Sequence, residues 1–415
     1  MPMLPNTVQT LIAAETIAGV TCQLDSSIKR VALFTEAFLP KVDGVSRTAL
    51  LTLNYLQRSG REVIVFAPSP TIPAIGATPI YGVPSLWMPF YAEVRVTPPW
   101  PLILPVLRDF KPDLIHLFSP AGLGALGMAA GEWFDVPVIA NYQTDLPAYA
   151  QSYGYGLLRQ PMIDFLRFIH NGCHLTLAPS RTTLAELRGW NFHRLRLWER
   201  GIDSERFNPA HADPTWRARL LAGRDPSRLL VLYVGRIAKD KHLTTLHTLA
   251  HEPGVALTLI GGGDYQAELQ AQFADSDAHF TGALFGDELT RAYAAADVFV
   301  FPGPEETFGQ VVLEAMASGL PVIVTDRGGP QTMVHEGHNG FICAVDDGAA
   351  FTDRVRLLRD NPLLRVQMSR AARTYASARP WIAVMQQLER YYQEAQHLHQ
   401  RLRDQRLRAN RKRSA

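Results

Sequence analysis

Short apolar runs, each followed by a polar or glycine-bearing loop and then by a helical pattern, recur along this chain. They restrict its fold more than anything else in the sequence. In the first half the runs fall at 31–34, 62–67, 114–118, 136–140 and 175–178; in the second at 229–234, 255–260, 296–301 and 320–324. Short runs without polar alternation read as strands buried on both faces. Such strands belong to a parallel sheet covered by helices, because parallel neighbours need a long crossover between them. The plan changes character at 195–207, LRLWERGIDSERF, where Gly201 and the following Pro209 suit a boundary, and it restarts at 229. A chain of 415 residues has room for two or three domains. The pattern predicts two parallel α/β halves, preceded by a flexible extension at 1–28 with a short helix at 8–18, and followed by a long helix at 381–399. The segment 68–101, rich in Pro, Gly and aromatics such as Trp87, Phe90, Tyr91 and Trp100, reads as irregular cover.

Ligands of open parallel sheets bind at the carboxyl ends of the strands, so the loops after the runs hold the candidate residues. Residues 302–319, PGPEETFGQVVLEAMASG, are the richest. Glu306 lies in the loop and Glu314 eight residues later, in a helix with Val311, Val312, Leu313, Ala315 and Met316 around it. A helix this apolar is buried, and a buried carboxylate is costly without hydrogen-bond partners. At the helical rise per residue the two carboxylates stand about 12 Å apart. The helix start near 307–310 offers backbone N–H groups to an anion between them. The plain alternative is a solvated Glu306 and a Glu314 that caps a neighbouring element; the stretch alone leaves both open.

After the run 229–234, Arg236 and Lys241 stand five apart in GRIAKDK. Arg forks onto phosphate oxygens and Lys adds a point charge, which suits a diphosphate; the alternative is a solvated basic loop. After 31–34, Gly44 either lets the backbone approach a ligand at a helix start or serves as an ordinary turn glycine. Asp145 follows 136–140, again at a strand's carboxyl end. The run GGGD at 261–264 lacks the third glycine of a dinucleotide fingerprint and reads as a tight strand-end loop. Two cations, N–H groups at a helix start and two carboxylates for hydroxyls together fit a nucleotide diphosphate-sugar. The strand-end loops of the two halves are expected to face each other across a cleft, with the cations doing the work of a metal ion.

A hydrophobic content of 47% and charged content of 19% exclude a disordered chain, and a net charge of +2 gives no reason to expect nucleic acid. Cys22, Cys173 and Cys343 are too far apart for metal-ligand spacing or a disulfide framework, which suits a reducing cytoplasm. No run reaches the length of a membrane span, and 1–28 lack the pattern of a signal peptide. From 401 the sequence RLRDQRLRANRKRSA has one acidic residue, Asp404. It reads as a frayed, solvated terminus, or as a basic arm drawn to anionic lipid at about 1 kcal/mol per basic residue. The second reading places the protein peripherally on the inner face of the cell membrane.

Several of these motifs stand in a fixed order: EAFLPKVDGV at 36–45, GRIAKDK at 235–241 and EETFGQVVLEAMASGLPVI at 305–323, with Glu306 and Glu314 in a Glu-x7-Glu arrangement. Over 29–395 the chain resembles the retaining glycosyltransferases of family GT4, which have the GT-B fold. Within that family, NYQTDLPAYAQSYGYGL at 141–157 and PGPEETFGQ are similar to GDP-mannose-dependent α-mannosyltransferases of bacterial glycolipid synthesis. RLWERGID at 196–203 and FTGALFGDELTRAYAAADVFV at 280–300 are similar to sulfoquinovosyldiacylglycerol synthases. The resemblance implies an α/β protein of two Rossmann-like domains facing a central cleft. The acceptor domain would span 29–200 and the nucleotide-sugar donor domain 201–377. A helix at 378–399 would cross back onto the N-terminal domain, and a basic tail would follow at 400–415.

The same resemblance implies residue roles. Arg236 and Lys241 would hold the donor diphosphate, Glu306 the transferred sugar and Glu314 the ribose hydroxyls. Gly44 and the backbone at Phe308, Gly309 and Gln310 would approach the phosphates. Asp145 stands where many relatives carry histidine and would be a sugar-contacting or catalytic residue. No metal and no cofactor beyond the nucleotide-sugar donor is implied, and retention would proceed by front-face attack. The main expectation is transfer of a hexose, mannose from GDP-mannose, to a glycolipid or lipid acceptor. The alternatives are UDP-sugar-dependent glucosyl or sulfoquinovosyl transfer to diacylglycerol, a GT-B epimerase or phosphorylase, and a non-catalytic sugar-nucleotide-binding partner protein.

Overall fold

The computed structural model describes residues 17, 20, 27–40, 43–88, 91–97 and 103–413. The helix expected at 8–18 (Ile17 apart), Cys22, Phe90 and Trp100 lie outside the described residues. The chain divides into two compact units, Met1–Glu199 with Ile382–Ala415, and Arg200–Trp381.

The first unit contains β1 Arg30–Thr35, α1 Gly44–Arg58, β2 Glu62–Pro68, β3 Ala74–Ile75, β4 Thr78–Val83, β5 Leu86–Met88 and β6 Tyr91–Val96. It continues with α2 Ile103–Phe110, β7 Leu114–Phe118, α3 Gly122–Trp133, β8 Val138–Asn141, α4 Leu146–Ser152, α5 Arg159–Gly172, β9 Leu175–Ala178, α6 Arg181–Gly189 and β10 Leu195–Leu197. Its main sheet runs β10-β9-β8-β7-β1-β2-β4-β3, parallel except for β3. β1 is central: Val31 pairs with Val63 on one side and Leu114 on the other. β7 is buried along its whole length and β1 from Val31 onwards, which is why these strands lack polar alternation. Ser180 caps α6 by accepting from the Thr183 N–H.

The segment 68–101 departs from expectation. Instead of irregular cover it holds four strands: β4 joins the sheet parallel to β2, and β5 and β6 form an antiparallel pair. β3 has two residues and β4 carries Pro79 and Gly82, so neither length nor period marks them as strands.

The second unit contains α7 Pro214–Leu221, β11 Leu229–Val234, α8 His247–Ala250, β12 Val255–Ile260, α9 Gln266–Gln272, β13 His279–Gly282 and α10 Gly286–Ala295. Then follow β14 Val298–Phe301, α11 Gln310–Ala317, β15 Val322–Thr325, β16 Gly340–Cys343, α12 Gly348–Asp360 and α13 Pro362–Ser377. The sheet order is β13-β12-β11-β14-β15-β16, with every pairing parallel. Counted from its own first strand this is 3-2-1-4-5-6, the doubly wound order, and the direction of winding reverses between β11 and β14. β11, β12, β14 and β15 are buried throughout. Each fully buried Leu, Val or Phe among them stabilises the unit by about 1.5–3 kcal/mol. α10 starts with no side-chain cap, and Asp287 sits in its first turn, where its charge favours the helix dipole.

The last helix, α14 Trp381–Arg413, belongs to the first unit from Ile382 onwards. Met385, Leu388, Tyr392 and Ala395 recur on one face and are fully buried. Glu389, on the same side, accepts from Arg61 at 2.7 Å, and Tyr392 Oη lies 2.8 Å from His116 Nδ1. The sequence suggests an end at 399 and a frayed tail. The helix instead continues to Arg413, with residues 403–412 exposed. Arg, Gln, Leu and Ala are all good helix formers, and neither Pro nor Gly interrupts them. No helix of the described residues is long and apolar enough to cross a membrane.

Candidate active site

The loops after β11 and β14 flank the point where the second sheet reverses its winding, the place where doubly wound sheets bind ligands. The first loop is braced from below. Tyr233 Oη donates to the Arg236 carbonyl at 2.8 Å, and the Ile237 N–H donates to the Gly262 carbonyl at 2.9 Å. The run 261–263 is glycine because the two loops touch: a Cβ on Gly261 would stand 1.8 Å from the Gly235 oxygen, and one on Gly263 2.3 Å from the Ile237 oxygen. The glycine cluster is thus a support for the cationic loop, in line with its reading as a tight strand-end loop.

The braced loop ends in a 3-10 turn, Lys239–Lys241, which buries Asp240 completely. Arg236 Nη2 donates to both Asp240 oxygens, at 3.0 and 3.2 Å. Lys241 Nζ reaches Asp240 Oδ2 at 3.1 Å and Glu306 Oε2 at 3.1 Å. Four side chains therefore form a row of alternating sign: Arg236, Asp240, Lys241, Glu306. The sequence pointed to the two cations and to Glu306. It did not single out Asp240, although a carboxylate between two cations in GRIAKDK was a signal that it orients them.

The second loop is held by backbone contact. The Gly329 N–H donates to the Glu306 carbonyl at 2.6 Å. A Cβ on Gly328 would fall 2.6 Å from the Pro304 oxygen, and one on Gly329 2.3 Å from the Thr307 oxygen. Phe308 is buried, and Gly309 takes the left-handed conformation, φ 91°, as N-cap of α11 without a side-chain cap. The first-turn N–H groups at Gly309 and Gln310 thus meet no capping side chain, and the helix dipole adds to their affinity for anions. Gln310 also donates through Nε2 to the Gly201 carbonyl at 3.2 Å.

The helix begins at Gln310, so Glu306 lies off it and the helical spacing of 12 Å to Glu314 does not apply. Glu314 is buried and accepts from Tyr293 Oη of α10 at 3.2 Å; the same hydroxyl lies 3.3 Å from the Val311 carbonyl. The partner that its burial demanded is thus on a neighbouring helix.

Gly44 and Asp145 belong to the first unit. Gly44 opens α1, and a Cβ there would have no atom within 4 Å. Asp43 caps this helix through the Val45 and Ser46 N–H groups, leaving the Gly44 N–H outside the cap. Asp145 is the N-cap of α4: it accepts from the Ala148 N–H at 3.1 Å and from Tyr142 Oη at 3.3 Å. Burial raises its pKa, and after desolvation Asp145 is the next cause that pushes Glu186 up to about 7. Glu36, after β1, is a second residue that the sequence did not mark. It accepts from the Ala121 and Gly124 N–H groups at 2.8 and 2.9 Å, at the start of α3. It thereby fills the anion-binding helix end at the reversal point of the first sheet with the protein's own carboxylate. Burial pushes its pKa up to about 7.

Two doubly wound parallel units define the GT-B fold, and the second carries paired cations and an uncapped helix start at its reversal point. Residues 42–206 match the sequence pattern of Glycosyltransferase Family 4, and residues 217–375 that of Glycosyl transferases group 1. The chain is 38% identical to the GDP-mannose-dependent alpha-mannosyltransferase of Mycobacterium tuberculosis, over 88% of this chain and 96% of that protein. It is 36% identical to the sulfoquinovosyl transferase SQD2 of Arabidopsis thaliana, over 86% of this chain and 72% of that one. The chain belongs to glycosyltransferase family 4 and is a glycosyltransferase. Its fold is similar to that of Anabaena HepE in complex with UDP, with TM-score 0.69 and 18% identity over 87% of this chain and 99% of that one. It is also similar to WaaG, a glycosyltransferase involved in lipopolysaccharide biosynthesis, with TM-score 0.65 and 18% identity over 86% and 98%.

Proposed function

We propose that this chain transfers mannose from GDP-mannose to a glycolipid or lipid acceptor, with retention of configuration and without a metal ion. The observation that carries a nucleotide diphosphate-sugar donor is the row Arg236, Asp240, Lys241, Glu306 beside the uncapped start of α11. Departure of a nucleoside diphosphate builds negative charge on phosphate and positive charge on the sugar. Preorganised cations and N–H groups aimed at the phosphate are usually the largest catalytic contribution. A diphosphate that engages Lys241 competes with Glu306 for its ammonium and releases that carboxylate for the sugar hydroxyls. Asp240 keeps Arg236 and Lys241 in place throughout. Glu314 takes the ribose hydroxyls, the Gly44 N–H approaches the phosphates and Asp145 contacts the sugar. In the front-face attack the donor's own phosphate accepts the acceptor's proton.

Mannose and guanine are supported by the likeness to the mycobacterial enzyme, and the lipid acceptor by the motifs at 141–157 and 280–300. The likeness to SQD2 favours a second reading, glucosyl or sulfoquinovosyl transfer from a UDP-sugar to diacylglycerol. A thermal-shift panel separates them, because a nucleotide at 100 times its Kd stabilises by about 2.7 kcal/mol. A rise in Tm with GDP and none with UDP is the expected result; the reverse selects the second reading. Radiolabelled transfer to diacylglycerol, phosphatidylinositol and glycosylated lipids then identifies the acceptor.

A further inference from the structure

Away from these loops, the second unit holds one group of histidine and carboxylate side chains spaced for a cation, among the described residues. His247 opens α8 and His251 caps its end, so their rings lie side by side with centroids 4.7 Å apart. Asp275, in the turn between α9 and β13, faces both. His247 Nε2 stands 3.2 Å from its Oδ1, and His251 Nε2 3.4 Å from its Oδ2. Ligand atoms on a tetrahedral ion with bonds near 2 Å stand roughly 3.3 Å apart; each histidine stands at about that distance from one Asp275 oxygen, and one ligand atom from each of the three residues lies within 4.8 Å of the others.

The ring orientation supplies an independent argument. His251 Nδ1 lies 3.0 Å from the His247 carbonyl oxygen, which places an N–H on Nδ1 and turns Nε2 toward Asp275. Metal-bound histidines are commonly fixed by such a bond from the other ring nitrogen. Without a metal ion a proton stands between Nε2 and Asp275, since the His247 carbonyl and then Asp275 hold the His251 pKa above its ordinary value; a cation at this place competes with that proton. Neighbouring charges are already matched: Glu252 binds Arg356 and Arg359, and Asp277 binds Arg228. Among the described residues, Asp275 pairs with these two histidines and with no Arg or Lys. A cavity of about 250 Å³ beside His251 and Asp275 leaves room for water to complete the coordination.

We propose that His247, His251 and Asp275 bind a divalent transition metal of the zinc class, with water as the remaining ligand. His251 and Asp275 precede β12 and β13, at the amino ends of the strands. Arg236, Lys241 and Glu306 follow the carboxyl ends of β11 and β14, at the opposite edge of the same sheet. The ion therefore takes no part in sugar transfer. It ties the chain that leads on from Lys241 to the turn before β13. The expectation of a metal-free transfer site is unaffected.

The test uses full-length, tag-free protein stripped with a chelator and titrated with zinc against a chromogenic competitor. One zinc per chain is expected, with Kd raised at least about tenfold in both His251→Ala and Asp275→Asn. Zinc raises the Tm of the parent protein and not of the variants, while circular dichroism and the nucleotide thermal shift stay unchanged. Cobalt substitution gives the visible absorption of a four-coordinate site in the parent protein alone. Zinc that fails to bind, or that binds equally to parent and both variants, overturns the proposal.

Discussion

Asp240 is the residue on which the donor loop depends. It is fully buried and holds both cations, so Asp240→Asn leaves Lys241 and Arg236 without their common partner. Breaking such a buried pair costs about 3 kcal/mol, to be read as a lower urea midpoint, together with weaker nucleotide binding. Glu306→Gln and Lys241→Ala act differently: both are expected to lower transfer by orders of magnitude while the protein stays folded. Near-parental rates in either would remove the pair from the chemistry. Glu36 supplies a pH effect. Its carboxyl titrates at about 7 in the folded chain against 4.5 ordinarily, so between those values the folded form keeps a proton that the unfolded chain has released. Its contribution to stability is full below about 4.5 and is lost as pH rises through 7, on the order of 3 kcal/mol in all. In Glu36→Gln the fall in denaturation midpoint over that window should be shallower than in the parent; parallel profiles sink the assignment.

At the scale of elements, the site is a set of loops held by glycine contacts. Gly261 has φ 145°, and a Cβ there would collide with the Gly235 oxygen. Gly261→Ala is therefore expected to destabilise the second unit by more than about 2 kcal/mol and to weaken GDP binding through the displaced Arg236 loop. A circular-dichroism melt and the nucleotide thermal shift read the two effects, and an unchanged melt would show that the loops are not coupled. Strands β11, β12, β14 and β15 were legible because burial on both faces makes them continuously apolar. β3 to β6 were not, because short strands broken by Pro and Gly carry no period.

At the scale of the molecule, α14 closes the first unit. Its buried face carries Glu389 and Tyr392, matched by Arg61 and His116 from strand ends and strands far away in sequence. Tyr392→Phe leaves His116 Nδ1 without that hydroxyl and should cost about 1–3 kcal/mol of stability, measured by urea denaturation. Beyond residue 402 the helix is exposed and basic. Deleting 401–415 is expected to reduce sedimentation with anionic liposomes and leave binding to neutral ones unaltered. Equal sedimentation of the full and shortened chains excludes a lipid-binding role for this arm.

The fold class, the two-part organisation and the residue types of the candidate site were readable from the chain alone, since strand burial, helix periodicity and the order of motifs are local properties. Arg236, Lys241 and Glu306 could be named as cation and carboxylate, each at the end of a strand. What only the tertiary structure decided is which charge meets which. The Lys241 bond to Glu306 spans 65 residues, and the Tyr293 bond to Glu314 joins separate helices. Glu36 reaches a helix start 85 residues on. Such pairings depend on strand order and on close backbone approach at glycines, and neither is encoded in any single stretch of sequence.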